Sequence, residues 1–199
     1  LAGHRFAAAY RPSRLAGGDY YDVALRSTGK VLLAIADVSG HGIPSAMHMS
    51  VLRAVLHAKA AEGAGLTQIL KSLNDTLCYA LDDYTFVTFY LAEYDPESGE
   101  IQQVSAGHHP PLVQNLSTNK IRELPLEPSL PLGIELGTAY DVNIARLEKN
   151  ERLFLYTDGI VEQKGPEHKR LDLEGFCSLI EASNIMSADE TADFLIKEL

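Results

Sequence analysis

Apolar positions in this chain follow two spacings, and the places where one gives way to the other divide it into elements. Residues 19–25 and 30–36 read as a β-hairpin split by the turn-like run Ser27-Thr28-Gly29. Lys30 to Ala36 is apolar on both parities, which predicts a strand buried on both faces that ends abruptly at Asp37. The period then becomes helical. Met47, Val51, Ala54, Val55 and Ala58 line one stripe of a helix that tolerates Pro44 in its first turn. Gly63-Ala64-Gly65 breaks that helix, Thr67 looks like the next N-cap, and Ile69, Leu70, Leu73, Leu77 and Leu81 share the face of a second. These stripes read as core. From residue 85 the period returns to strand, with 86–92 and 101–106 joined across Asp95-Pro96-Glu97-Ser98-Gly99. Short pairs at 112–115 and 120–124 follow, then a Pro-rich loop from Pro125 to Gly137 and a strand at 140–147. A buried strand over Leu153 to Tyr156 runs into Asp158, and the tail from about Glu174 is helical. Arg5 to Tyr10 is predicted as a further strand, followed by the polar connector Arg11-Pro12-Ser13-Arg14. Many strands joined as hairpins, with helices grouped apart, predict an α+β fold with antiparallel sheets.

Composition narrows the class. With 199 residues and 46% hydrophobic positions there is material for one sizeable core, so a single domain over 1–199 is expected. Lys and Arg total 17 against 27 Asp and Glu, a net charge of −10, which argues against binding nucleic acid or an anionic membrane. No apolar run is long enough for a bilayer span, and Leu1 to Tyr10 lacks the layout of a signal peptide. Cys78 and Cys177 stand far apart without metal spacing, so no disulfide framework or zinc site is expected. These readings predict a cytoplasmic location.

Three segments place an acid beside glycine at the edge of an apolar strand: Gly17-Gly18-Asp19-Tyr20-Tyr21-Asp22, Asp37-Val38-Ser39-Gly40-His41-Gly42 and Thr157-Asp158-Gly159. Any one alone reads most simply as turn chemistry. Together, with no Lys or Arg inside them, they suit Mg²⁺ or Mn²⁺, which prefer carboxylate oxygens. Glycine lets the backbone approach closely enough for a carbonyl to join as a ligand. Two hard cations sharing one carboxylate and one water would suit in-line attack on a phosphoryl group. The Ser39-Gly40-His41-Gly42 loop, just ahead of a helix, could offer amide N–H groups to an anion.

The chain resembles the PP2C-like (PPM) serine/threonine phosphatases of the SpoIIE/RsbU-type branch. The resemblance rests on the Gly17 to Val23 and Asp37 to Ala46 segments, on Ser105-Ala106-Gly107-His108-His109-Pro110-Pro111-Leu112, on Leu130-Pro131-Leu132-Gly133-Ile134 and on Leu155 to Glu162, in family order. It implies a β-sandwich of two antiparallel sheets flanked by helices, and hydrolysis of phosphoserine or phosphothreonine with two Mn²⁺ or Mg²⁺ ions. By motif, Asp37 would bridge the metals with the Val38 carbonyl on one of them, Asp19 would serve the metal on the Gly-Gly-Asp side, and Asp158 would hold the other. Asp22 is the weaker candidate, beyond the ligands themselves. The family usually closes with a further metal-binding Asp in an Asp-Asp-x-Thr segment before a last strand. Neither Asp189-Glu190-Thr191 nor Asp193 has that context, so the expectation is a piece cut short of its last strand or a copy lacking one ligand.

Other candidates rank lower. His108 and His109, if on a strand, would point to opposite faces, and structural hydrogen bonding is the favoured reading for both. His41 is the better functional histidine, as a phosphate or water contact. Neither cysteine has the loop of a thiolate phosphatase, and Ser39 occupies the place of the second acid in an Asp-x-Asp phosphohydrolase. The resemblance implies as substrate a phosphorylated anti-sigma-factor antagonist of STAS type in a partner-switching pathway, with a sensor or receiver domain outside this chain. A homodimer contact and plain core are both open for the two helices. The rival expectation is a regulatory module that binds the phosphoprotein without hydrolysing it. Hydrolysis of small phosphate esters is a third, weaker reading.

Overall fold

The computed structural model describes residues 3–11, 17–163 and 170–199. Pro12, Ser13 and Arg14 of the polar connector lie outside them. The chain folds as two compact units, one formed by residues 12–110 and 125–146, the other by 1–11, 111–124 and 147–199.

The larger unit is built on a five-stranded antiparallel sheet. Its strands are β1 (Tyr20–Leu25), β2 (Val31–Val38), β3 (Val87–Tyr94), β4 (Glu100–Ala106) and β7 (Asn143–Arg146), neighbouring one another in that order. The hairpin prediction holds, with Tyr20 paired to Ala36 and Leu25 to Val31 around a turn closed by Gly29 at φ 83°. Between β2 and β3 the chain forms α1 (Ile43–Ala61) and α2 (Leu66–Ala80). Residues 32, 34, 36 and 38 of β2 share a core with Leu52 and Leu56 of α1 and with Ile69, Leu70, Leu73 and Leu77 of α2. Each fully buried leucine there contributes about 1.5–3 kcal/mol. Residues 31, 33 and 35 are buried as well, so β2 is enclosed on both parities, as its sequence predicted. A polar clip ties the hairpin to the link between the helices: Arg26 Nη2 donates to the Ala64 carbonyl at 2.8 Å, while its Nε meets Glu93 at 3.1 Å.

Two helical expectations need correction. On α1 the buried face is Ser45, Met49, Leu52 and Leu56, whereas Met47 is 64% exposed and Val51, Ala54 and Ala58 also face outward. Apolar residues run nearly around this helix, so two stripes satisfy the spacing, and the sheet selected the one carrying the larger leucines. The α2 stripe is buried as predicted from Ile69 to Leu77, with Leu81 partly buried as the C-cap, but the N-cap is Gly65, whose N–H donates to Gln68 Oε1 at 3.2 Å, and Thr67 lies inside the first turn.

The smaller unit holds a three-stranded antiparallel sheet in the order β6 (Ile121–Glu123), β5 (Leu112–Asn115), β8 (Glu151–Phe154). It also contains α3 (Asp158–Val161), α4 (Asp172–Ala182) and α5 (Ala188–Glu198). Leu112, Tyr156, Phe176 and Ile180 form its core. Arg152 of β8 donates to Thr191 Oγ1 at 2.9 Å and to the Met186 carbonyl at 2.6 Å, which fixes the α4–α5 connection. Strand β8 ends earlier than expected, at Phe154, and is half-buried rather than enclosed. Residues 5–10, predicted as a strand, are exposed and belong to no strand: among the described residues none pairs with them as the ladder partner that a strand requires.

Candidate active site

The site grows from the β1–β2 ladder. Tyr20 pairs with Ala36, and the Val38 N–H donates to the Gly18 carbonyl at 3.3 Å, so the register runs one step past β1 and sets Asp19 opposite Asp37. Directly opposed residues project to the same face. The pair beside a hydrogen-bonded one is the closer kind in an antiparallel ladder, so these two side chains start close together on that face. Like charges so placed repel, and a hard divalent cation converts that repulsion into binding.

Gly18 supplies the second feature. A Cβ built there would stand 3.1 Å from the Val38 carbonyl oxygen and 3.3 Å from Val38 Cβ. The missing side chain thus keeps space beside the carbonyl that the sequence proposed as a ligand. Beyond Val38 the loop is pinned to the start of β3. The Ser39 N–H donates to the Phe86 carbonyl at 2.9 Å, and Phe86 N–H donates to Ser39 Oγ at 2.8 Å. Gly40 (φ 139°) and Gly42 (φ 86°) then turn the chain into α1 through conformations that a side chain would strain. Helix α1 starts with no side-chain cap and no acid in its first turn, which leaves its N-terminal amides suited to an anion. His41 is exposed in this loop.

Asp22 takes a different part from the one expected. It lies on the helix-facing parity of β1, where Tyr20 Oη donates to Asp22 Oδ2 at 2.6 Å and His57 Nε2 of α1 lies 2.6 Å from the same oxygen. Burial alone would raise this carboxyl, but the hydrogen bonds with Tyr20 and His57 outweigh it and hold its pKa below the ordinary value. Asp22 is therefore a clip between β1 and α1, on the face opposite Asp19.

Asp158 belongs to the smaller unit. It opens the four-residue helix α3, is exposed, and its carbonyl accepts the Glu162 N–H at 2.8 Å. Near the C-terminus, Glu190 and Thr191 serve local structure. Ser187 and Glu190 cap α5 reciprocally, at 2.8 and 3.3 Å, and Thr191 accepts from Arg152. His108 and His109 lie beyond β4 rather than on it, and their rings come within 5.5 Å instead of diverging. His108 is buried, with Nδ1 2.9 Å from Thr88 Oγ1, as the hydrogen-bonding reading expected. Thr88 attracted no attention in the sequence.

Residues 27–199 match the family model described as Stage II sporulation protein E (SpoIIE). The chain belongs to the SpoIIE family. It is 31% identical over 179 residues to the phosphoserine phosphatase RsbU of Bacillus subtilis (strain 168), a match covering 90% of this chain and 52% of that protein. The chain thus spans about half the length of this relative. Among solved structures, the SiaA-PP2C domain of Pseudomonas aeruginosa matches with a TM-score of 0.80 at 20% identity, covering 94% of this chain and 74% of that one. The PP2C phosphatase domain of SpoIIE from Bacillus subtilis matches with a TM-score of 0.76 at 22% identity, covering 96% and 56%. At these identities the structures speak for the fold, which is PP2C-like: α+β, with two antiparallel sheets and flanking helices.

The SpoIIE-type motifs divide into two kinds of work. The Asp19 and Asp37 segments place oxygen donors side by side, while Ser105 to Gly107 and Leu130 to Gly133 build the frame. Gly107 (φ 68°) accepts Pro131 where its Cβ would be, at 2.7 Å from Pro131 Cγ, and Ser129 hydrogen-bonds the Ser105 carbonyl and the Gly107 N–H. Gly133 donates to buried Asn74 of α2 at 3.0 Å. Two opposed carboxylates and a cleared carbonyl are the hard-oxygen chemistry that Mg²⁺ or Mn²⁺ takes. Among the described residues, no three His, Cys, Asp or Glu side chains form a group that could hold a metal. No helix of the described residues is long and apolar enough to cross a membrane.

Proposed function

We propose that this domain hydrolyses phosphoserine or phosphothreonine in a protein, with Asp37 and Asp19 as the acids at its centre. The observation that carries the reading is the opposition of these two carboxylates beside the Val38 carbonyl, in a chain of the SpoIIE family. Asp37, the Val38 carbonyl and Asp19 would hold Mn²⁺ or Mg²⁺, and Asp158 is the further residue that the motif resemblance assigns to the ions. When bound, such ions supply an acidified water and neutralise charge on the transferring phosphoryl group. The chain's own part is to hold the acids by strand register, and to present the amides of the 39–42 loop and the α1 start to the phosphate oxygens. His41 is placed in that loop to contact phosphate or water.

The similarity to a protein named phosphoserine phosphatase RsbU supports a phosphoserine substrate; the substrate we propose is a phosphorylated STAS-type anti-sigma-factor antagonist in a partner-switching pathway. In this reading the domain works in the cytoplasm under a sensor or receiver module, singly or as a homodimer. The rival is a module that binds the phosphoprotein without hydrolysis. It is favoured by the lack of a ready three-group metal cluster among the described residues.

Phosphate release from a phosphoserine protein at millimolar Mn²⁺, with Asp37→Asn alongside, separates the two. Mn²⁺-dependent turnover that Asp37→Asn abolishes supports the phosphatase. Retained binding of the phosphoprotein without turnover in the parent selects the rival.

A further inference from the structure

Asp37 has a second neighbour on its own face of the sheet. It pairs with Thr88 of β3, so the two side chains project together, with Cβ atoms about 4.5–5.5 Å apart. Thr88 Oγ1 lies 2.9 Å from Nδ1 of His108. Asp19, Asp37, Thr88 and His108 therefore form a row across the sheet, contributed by four separate stretches of the larger unit.

The far end of that row is held firmly. His108 is only 8% exposed. Its N–H donates to Ser105 Oγ at 3.0 Å, and Ser105 Oγ lies 3.1 Å from its carbonyl. The turn before it needs Gly107 at φ 68°, packed under Pro131. The backbone of His108 is anchored on both sides, which fixes where its ring starts, and a β-branched threonine has few side-chain rotamers to choose from. An ordinary core hydrogen bond does not need such an anchor next to a metal-binding acid.

We propose that Thr88 and His108 are positioning residues for Asp37, an inference that rests on the two-carboxylate reading above. The Nδ1–H of His108 donates to Thr88 Oγ1, which commits the threonine oxygen as acceptor. The single hydroxyl proton of Thr88 is then directed to the Asp37 carboxylate. That bond fixes which carboxylate oxygen of Asp37 faces the cation site, as outer hydrogen-bond partners do at metal centres generally.

The test is calorimetric titration of Mn²⁺ into the parent, Thr88→Val, Thr88→Ser, His108→Gln and the Thr88→Val/His108→Gln pair. Thr88→Val and His108→Gln should each weaken Mn²⁺ binding about 10- to 100-fold. Thr88→Ser should bind nearly as the parent does, and the double variant should be no worse than Thr88→Val, since the two act in series. Parent affinity in either Thr88→Val or His108→Gln overturns the relay, even if melting temperatures fall. Should Thr88→Val fold poorly, His108→Gln, which leaves the strand intact, decides alone. A parent that binds no Mn²⁺ removes the metal reading itself, an outcome distinct from loss of the relay.

Discussion

On the helix-covered face of the five-stranded sheet, Asp22 is held by Tyr20 and His57; on the other face, Asp19 stands opposite Asp37. Asp22 is three positions on from Asp19, an odd offset, so the pleat sends them to opposite faces. On one face the carboxylate meets a hydroxyl and an imidazole and fastens a strand to a helix. On the other it stands opposite a second carboxylate, an arrangement that suits a divalent cation. An acid's partners across the sheet, not its motif, decide whether it fastens a strand to a helix or stands opposite a second acid, as the proposed ligands do.

The sharpest way to break this comparison is Asp37→Asn. Phosphate release should fall by orders of magnitude, while the melting temperature should hold or rise slightly, because a repulsion opposite Asp19 has been removed. A large drop in melting temperature with activity retained would reverse the roles of the two faces.

Next comes Leu73→Ala, on the helix-covered side, where the side chain is fully buried. It should cost about 2–5 kcal/mol in urea unfolding, with Mn²⁺ affinity of the folded fraction unchanged. Gly107→Ala probes the frame behind His108. A Cβ 2.7 Å from Pro131, at a positive φ, should cost about 1–3 kcal/mol. Finding Gly107→Ala as stable as the parent would mean that the turn can relax and does not anchor the row.

The smallest effect expected is from Asp22→Asn, about 1 kcal/mol at neutral pH with turnover close to the parent's. Its pH dependence has a definite sign. The folded pKa of Asp22 is depressed, so its contribution is present above the unfolded carboxylate value, near 3.9, and is lost as pH falls through the lower folded value. The stability gap between parent and Asp22→Asn should therefore narrow in acid unfolding curves below about pH 4. A gap that widened there would contradict the clip.

Much of this was readable beforehand, element by element. The β1–β2 hairpin, the enclosed β2 strand and the α2 stripe rest on local periodicity and a short turn, and local signals survive in a sequence. The α1 face did not, since Met47 and Met49 both satisfy helical spacing and only the sheet could choose between them. Asp22 was misplaced because a motif was read as a unit, whereas strand parity splits it. Thr88 was missed for a topological reason: two helices intervene between β2 and β3, so no turn length reveals that Asp37 and Thr88 are paired.

The sequence by itself determined the class of chemistry: three acid-glycine segments without internal cations, in an order that belongs to the SpoIIE family. It also determined the elements, through spacings of two and of three to four residues that each segment carries within itself. The tertiary structure decided which acids act together. It set Asp19 opposite Asp37, turned Asp22 to the helices, and brought Thr88 and His108 into the row. The physical reason is that cross-strand register and strand parity are properties of pairs of segments. A residue's neighbours across a ladder are chosen by the packing of everything between them in the chain.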